Sequence, residues 1–247
     1  MKKILTLLLA LALVFSFASC DFLGSSSYLG LTEEQYINAK IKSEGVMTYA
    51  EYAAAALESD VVIEAYVQDT QSWWNDKITV YLADLDGAYF AYEMACTEED
   101  AAKLVPGTKI KVTGEKGEWA GEVEIMSATF EFVGEENDKY IAPALDVTSL
   151  LGKDSLVKYQ NQLVKFTKMT VVSVSYKNNT PGDDIYVTLE KDGVEVEFCV
   201  EFYLNGSDAE FYDAFAELVE GDLVNVEGYA YWYNGINTHI TKITKLQ

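Results

Sequence analysis

The stretch Pro106-Gly107-Thr108-Lys109-Ile110-Lys111-Val112-Thr113-Gly114 returns later in the chain as Glu220-Gly221-Asp222-Leu223-Val224-Asn225-Val226-Glu227-Gly228. A third glycine follows each copy at the same distance, in Trp119-Ala120-Gly121 and in Tyr233-Asn234-Gly235. Leu104-Val105 precedes the first copy just as Leu218-Val219 precedes the second, so all of these pairs stand at one constant offset. Self-similarity at a fixed spacing means that one structural unit is built twice, and any fold for this chain must divide into two related halves.

Upstream of the glycines each half carries alternating runs. Ile78, Val80 and Leu82 alternate with Thr79, Tyr81 and Ala83, and Ile185, Val187 and Leu189 alternate with Tyr186, Thr188 and Glu190. A period of two sends one set of side chains to a core and the other set outward, the signature of half-buried strands. Asp86-Gly87 and Asp192-Gly193 end these runs, and Asn234-Gly235 is a third such pair; both residue types tolerate the positive φ of a tight hairpin. The Asp-Gly pairs lie at a shorter offset than the glycine motifs, which places an insertion near Tyr203-Leu204-Asn205-Gly206-Ser207. Between the third strand and the glycine motif each half has a helical stretch, Thr97 to Leu104 and Ser207 to Leu218. Thr97 and Ser207 suit N-caps with acids behind them, and Phe211, Phe215 and Leu218 share a face. Helices are also expected at Tyr49 to Leu57 and at Thr148 to Tyr159, each ahead of a long first strand at Asp60 to Gln68 and Gln162 to Val174.

This order, three strands, a helix and two strands, resembles the OB-fold, a five-stranded Greek-key barrel. The chain as a whole is similar to the tandem OB-fold lipoproteins of Gram-positive bacteria. The resemblance implies a mainly β protein of two tandem OB-fold-like five-stranded barrels, each with a helix between strands three and four. The expected boundaries are 46–133 for the first domain, 134–145 for a linker and 146–247 for the second domain.

The N-terminus reads as an address. Met1-Lys2-Lys3 precedes an apolar run from Ile4 to Ala18, shorter than the roughly 20 residues that a membrane-spanning helix needs. Residues 1–19 are therefore expected to be a secretory signal peptide. Phe17-Ala18-Ser19-Cys20 resembles a bacterial lipobox, which implies that the Cys20 thiol is diacylated and that cleavage leaves Cys20 first. Acyl chains contribute about 0.8 kcal/mol per buried methylene, so residues 20–45 are expected to be a lipidated Cys20 and a tether containing Ser25-Ser26-Ser27. The expected location is the outer face of the bacterial cytoplasmic membrane, with the membrane itself a partner through the lipid anchor.

Charge then narrows the function. Against 40 Asp and Glu stand 18 basic residues, all of them Lys, for a net charge of −22. No guanidinium is present to clamp a phosphate, so nucleic acid is an unlikely partner despite the resemblance to a fold that often binds it. One His and three Cys give little material for a metal cluster, and neither metal nor cofactor is expected.

OB-folds bind ligands across strands two and three, between the first and last hairpin loops. In the first half that region offers Trp73, Trp74, Tyr81, Tyr89 and Trp119, rings that can stack on a glycan or a peptide. The bland alternative is that these rings close the ends of the barrel. The second half presents Glu195, Glu197, Cys199 and Glu201 on the corresponding face, and Tyr229, Tyr231 and Tyr233 as a surface for a protein partner. Asp84-Leu85-Asp86-Gly87 lacks the continuation of a calcium loop and reads as a hairpin turn. His239 takes the place of Ile125 in the repeat and is expected to be a partly buried structural residue. Cys96 and Cys199 do not correspond, and no disulfide is expected between them.

The expected function is a non-enzymatic binding or adaptor module. One alternative is a carbohydrate-active enzyme with paired carboxylates; it needs an acid whose pKa is raised by burial, whereas these carboxylates fall in turns or on exposed parities. The other is single-stranded nucleic-acid binding by fold analogy, opposed by the charge.

Overall fold

The computed structural model describes residues 31–134, 138–202 and 209–246. The expected signal peptide 1–19, Cys20, Ser207 and the expected insertion at 203–207 lie outside these residues.

The first unit is a closed barrel. Its strands are β1 (Asp60–Thr70), β2 (Lys77–Ala83), β3 (Ala88–Ala95), β4 (Lys109–Trp119) and β5 (Glu122–Phe132), in the order β1-β2-β3-β5-β4 with β4 returning to β1. A parallel pairing of Ala91 with Ile125 closes the seam between β3 and β5. Alternation puts Val61, Ile63, Val80, Leu82, Val112 and Ile125 inside, all fully buried, at roughly 1.5–3 kcal/mol of stabilisation for each side chain. Before this unit come α1 (Glu33–Lys40) and α2 (Tyr49–Ala54), and α3 (Glu98–Ala101) links β3 to β4. The Thr97 hydroxyl caps α3 by accepting the Asp100 amide at 3.1 Å.

The second unit follows the same neighbour order without closing. Its strands β7 (Leu163–Tyr176), β8 (Ile185–Lys191), β9 (Val194–Val200), β10 (Leu223–Tyr229) and β11 (His239–Lys245) run β11-β10-β7-β8-β9, with β6 (Leu145–Asp146) lying along β7 as a sixth strand. The expected second closed barrel is therefore an open sheet, and the reason is local. In the first unit β5 is continuous from Glu122, but the equivalent stretch of the second unit is folded into a small loop by a Trp232–Ile236 bridge. β11 begins only at His239, and Asn237 Oδ1 accepts the Cys199 amide at 3.3 Å in place of a strand ladder. Helix α4 (Ala209–Ala216) puts Tyr212 and Phe215 into the core of this unit.

The repeated glycines make the same turn in both units. Gly107 (φ +90°) donates to Val67 O at 2.7 Å, and Gly221 (φ +88°) donates to Val171 O at 2.8 Å. A side chain at either φ would be strained. Asp192 and Gly193 have the expected positive φ of 52° and 82°. Asp86-Gly87 does not need it, because Asp84 Oδ1 accepts both the Asp86 and Gly87 amides at 2.8 Å and holds the turn itself.

Three further expectations are corrected. Thr148 to Tyr159 is not an α-helix but two 3-10 stretches, Thr148–Leu150 and Asp154–Tyr159, broken at Gly152 with φ +71°. The expected tether 20–45 is not loose over 31–45. There Thr32 and Gln35 form a capping box on α1, Ala39 is buried, and Lys42 pairs with buried Asp84 at 2.5 Å. The expected linker 134–145 is likewise packed from 138 onward: Asp138 pairs with Lys109 at 3.2 Å, and buried Tyr140 meets Tyr66 edge-on. Ala39, Tyr140 and Ala142 together cover Tyr66, Ala83 and Ala88 at one end of the barrel, apolar surface that water would otherwise solvate.

Candidate ligand cleft between the two units

β2 and β3 pair Val80 with Ala91 and Leu82 with Tyr89, so Tyr89 is on the core side of the sheet. It is fully buried and its hydroxyl donates to Asp84 at 2.8 Å. The expectation that Tyr89 faces a ligand fails because β3 carries an extra residue near Glu93 (φ 44°), and that bulge inverts the alternation read back from the strand end.

Tyr81 and Phe90 do point outward, but the second unit covers them. Tyr81 stacks on Tyr229 with ring centres 4.2 Å apart, and its hydroxyl shares a hydrogen bond with His239 Nδ1. Tyr231 stacks on the other side of this cluster, 4.2 Å from the His239 ring. Tyr81, expected at a ligand site, and Tyr229, expected on a partner surface, are thus buried in the joint between units.

The turn between β4 and β5 enters the same joint. Gln160 donates to Gly121 O at 2.7 Å, Asn161 donates to Val123 O at 3.1 Å, and the Asn234 amide donates to Ala120 O at 2.7 Å. Glu122 is fully buried there, and its Oε2 accepts the Trp232 amide at 2.8 Å while Oε1 has no partner. Burial pushes the Glu122 carboxyl up to about 8, against the lowering effects of the Trp232 amide and the Asn161 side chain, and the charge of Glu124 adds to the rise. Burial also pushes His239 down to about 4, so the imidazole is neutral at neutral pH.

Beside the joint lies a cleft of about 830 Å³. The first unit lines it with Tyr92, Trp119, Glu124 and Met126; the second contributes Glu197, Cys199 and Glu201 from the β9 side, and Tyr231, Tyr233 and His239 from the other. These second-unit residues flank the seam that β9 and β11 leave unpaired. A smaller recess of about 440 Å³ at the Trp73-Trp74 loop shares Gln71 and Tyr92 with the cleft and so adjoins it.

The sequence-expected residues therefore divide. Trp119 and Tyr233, 63% and 54% exposed, meet Tyr231 in the cleft, and Trp74, 73% exposed, flanks the side recess. Trp73 belongs to the barrel, packing on its core with Nε1 donating to Cys96 O at 2.8 Å. Cys96 and Cys199 are both free, and burial pushes the Cys199 thiol up to about 12.

The sequence reading passed over Tyr92, Glu122 and Glu124. Glu-Val-Glu-Ile at 122–125 alternates like any half-exposed strand, and the outward parity it gives the two glutamates is correct. What buries Glu122 is the second unit, about which local periodicity carries no signal.

No protein-family model matches the chain, and no curated protein does. Among solved structures, a murine DNA-binding protein bound with double-stranded DNA is similar at a TM-score of 0.37 and 11% identity, over 76% of this chain and 99% of that one. The p204 HINb domain is similar at 0.35 and 12% identity, over 74% of this chain and 95% of that one. A replication protein A heterotrimer bound to single-stranded DNA gives 0.30 and 14%, over 76% and 52%. These are loose likenesses of outline.

Proposed function

We propose that this chain is an exported, lipid-anchored and non-enzymatic binding module, in which two tandem OB-fold-like units hold a ligand in the groove between them. The observation that carries this reading is the cleft of about 830 Å³, a volume in the usual range for ligand sites and lined by aromatic side chains from both units. Residues 1–19 export the chain, and Cys20 holds it on the outer face of the membrane, as in the lipoproteins it resembles. Catalysis by paired carboxylates is disfavoured: the carboxyl with the markedly raised pKa, Glu122, is sealed within the joint where no substrate reaches it. DNA is bound by the murine protein and by the replication protein A heterotrimer named above; in this chain the cleft carries glutamates, the net charge is −22 and no Arg is present.

The test is an array of glycans, peptides and oligonucleotides probed with the purified full chain in about 0.15 M salt, a range in which long-range surface charge is screened. Retention of one small-molecule or peptide class without turnover, lost in Trp119→Ala, is the expected result. Turnover would select the enzyme, and retention of oligonucleotides would select the nucleic-acid reading. Fatty-acid labelling of the wild type and of Cys20→Ala tests the anchor separately, with label expected only in the wild type.

A further inference from the structure

Glu124 is the unusual residue of the cleft. Only 5% of its surface is exposed, and among the described residues it makes no hydrogen bond or ion pair. Burial raises its pKa, and the nearby charge of Glu93 raises it further. The Glu124 oxygens keep contact with the solvent of the cleft, and a partly desolvated carboxylate without a protein partner is a favourable place for a cation to dock.

The rest of the lining points to the same partner. Glu197 and Glu201 stand across the cleft from the first unit's residues on the β9 side, and no lysine lines the cleft among the described residues. In the adjoining recess Lys77 is already neutralised by Glu93 at 2.6 Å. His239 is neutral at neutral pH because burial depresses it, and the Cys199 thiol is protonated. What the cleft offers is the carboxylates of Glu124 and Glu197 together with the rings of Tyr92, Trp119 and Tyr233, the combination that recognises ammonium groups. An anionic ligand would be repelled, and a neutral sugar would cover the Glu124 carboxylate without pairing its charge.

Resting on the cleft reading above, we infer that the ligand is a small alkyl polyammonium compound, with ammonium groups on Glu124 and Glu197 and its methylenes lying across Trp119, Tyr92 and Tyr233. The cleft suits such a chain because both units contribute carboxylates and rings to its lining. Association involves no covalent step.

The experiment titrates the purified full chain with spermidine in about 0.15 M salt by calorimetry and tryptophan fluorescence, alongside maltotetraose as a neutral probe. The expected result is saturable binding of spermidine at one site, weakened at least about tenfold, or 1.4 kcal/mol, in Glu124→Gln and in Trp119→Ala. Glu98→Gln, on the far helix α3, should leave it unchanged. Glu197→Gln, on an exposed strand position, serves as a second variant should Glu124→Gln lower the melting temperature. Weak multi-site binding that both cleft variants leave intact would reduce the effect to condensation on an acidic surface and overturn the inference. Maltotetraose binding that depends on Trp119 while spermidine does not bind would overturn it too, with the cleft reading left standing. No fluorescence response to either probe overturns the inference, and the array result then decides the cleft reading by itself.

Discussion

The outer face of β2, β3 and β5 in the first unit and the outer face of β8 and β9 in the second are equivalent surfaces with opposite fates. On the first, Tyr81, Phe90 and Glu122 are buried beneath Tyr229, Tyr231 and Trp232. On the second, Tyr186 pairs across the strands with Cys199 and Thr188 with Glu197, and this face stays open to the cleft and to solvent. The closed barrel thus supplies a rigid wall and spends its ligand-type face on the joint, while the open sheet supplies the accessible face. A repeat in sequence need not be a repeat in use, because the second copy packs on the first and changes what is exposed.

The strongest way to break this comparison is at the joint. Tyr81→Ala removes a buried ring stacked on Tyr229, and a buried aromatic truncated to Ala costs about 3–5 kcal/mol. If the joint couples the units, calorimetry will show both melting together and at a lower temperature. A second-unit transition that stays in place would mean that the units are independent.

Closure itself is sharpened by the equivalent glycines 114 and 228, each beside a β-bulge. A Cβ at Gly114 would lie 2.7 Å from both Ile125 Cγ2 and Met126 O, and one at Gly228 would press on His239 O and lie 2.7 Å from Ile240 Cα. The second collision is the tighter, yet β11 is held on one side only whereas β5 is held by both β4 and β3. Gly114→Ala should therefore cost about 3 kcal/mol and Gly228→Ala about 1, the reverse of what the distances alone suggest. Urea melts that give the opposite order would show that the open edge does not relax.

A pH series separates the two buried groups of the joint. Glu122, raised from 4.5 to about 8 in the folded chain, contributes stability that is full below 4.5 and lost as pH rises through 8. His239, lowered from 6.5 to about 4, contributes stability that is full above 6.5 and lost as pH falls through 4. Above pH 6.5 only the Glu122 slope remains, and it should remove about 2 kcal/mol between pH 6.5 and 8. Glu122→Gln should flatten that interval and leave the acid limb in place; an unchanged slope above 6.5 would remove Glu122 from the account.

The smallest effects belong to the exposed rings. Trp74→Ala and Trp119→Ala should each change stability by less than about 0.5 kcal/mol, because these side chains are mostly in water. A fall as large as that of Tyr81→Ala would mean that they belong to the core, the bland reading of their sequence positions.

Much of the fold was legible because it is local. Alternation marks β2 and β8, the glycines at 107 and 221 mark one turn made twice, and Thr97 marks the start of α3. Much of the site was not. Tyr89 was misplaced because one extra residue near Glu93 inverts the parity of β3, and a bulge leaves no mark in a hydrophobic pattern. Trp119 was named from its loop and Tyr233 from the outward parity of a strand end, but Glu124 was passed over because the cleft it lines is shared with residues far along the chain.

By itself, then, the sequence determined the recurrence of the glycine motif, the strand order, the turns and the acidic charge, since each depends on neighbours a few residues away or on composition. Tertiary structure alone decided that the second sheet stays open, that Tyr81 and Tyr229 lock the units together, and that a carboxylate is left without a partner in the cleft between them. Those outcomes depend on how two separately legible units pack, and the energy of that packing is set by surfaces that adjoin only after both have folded.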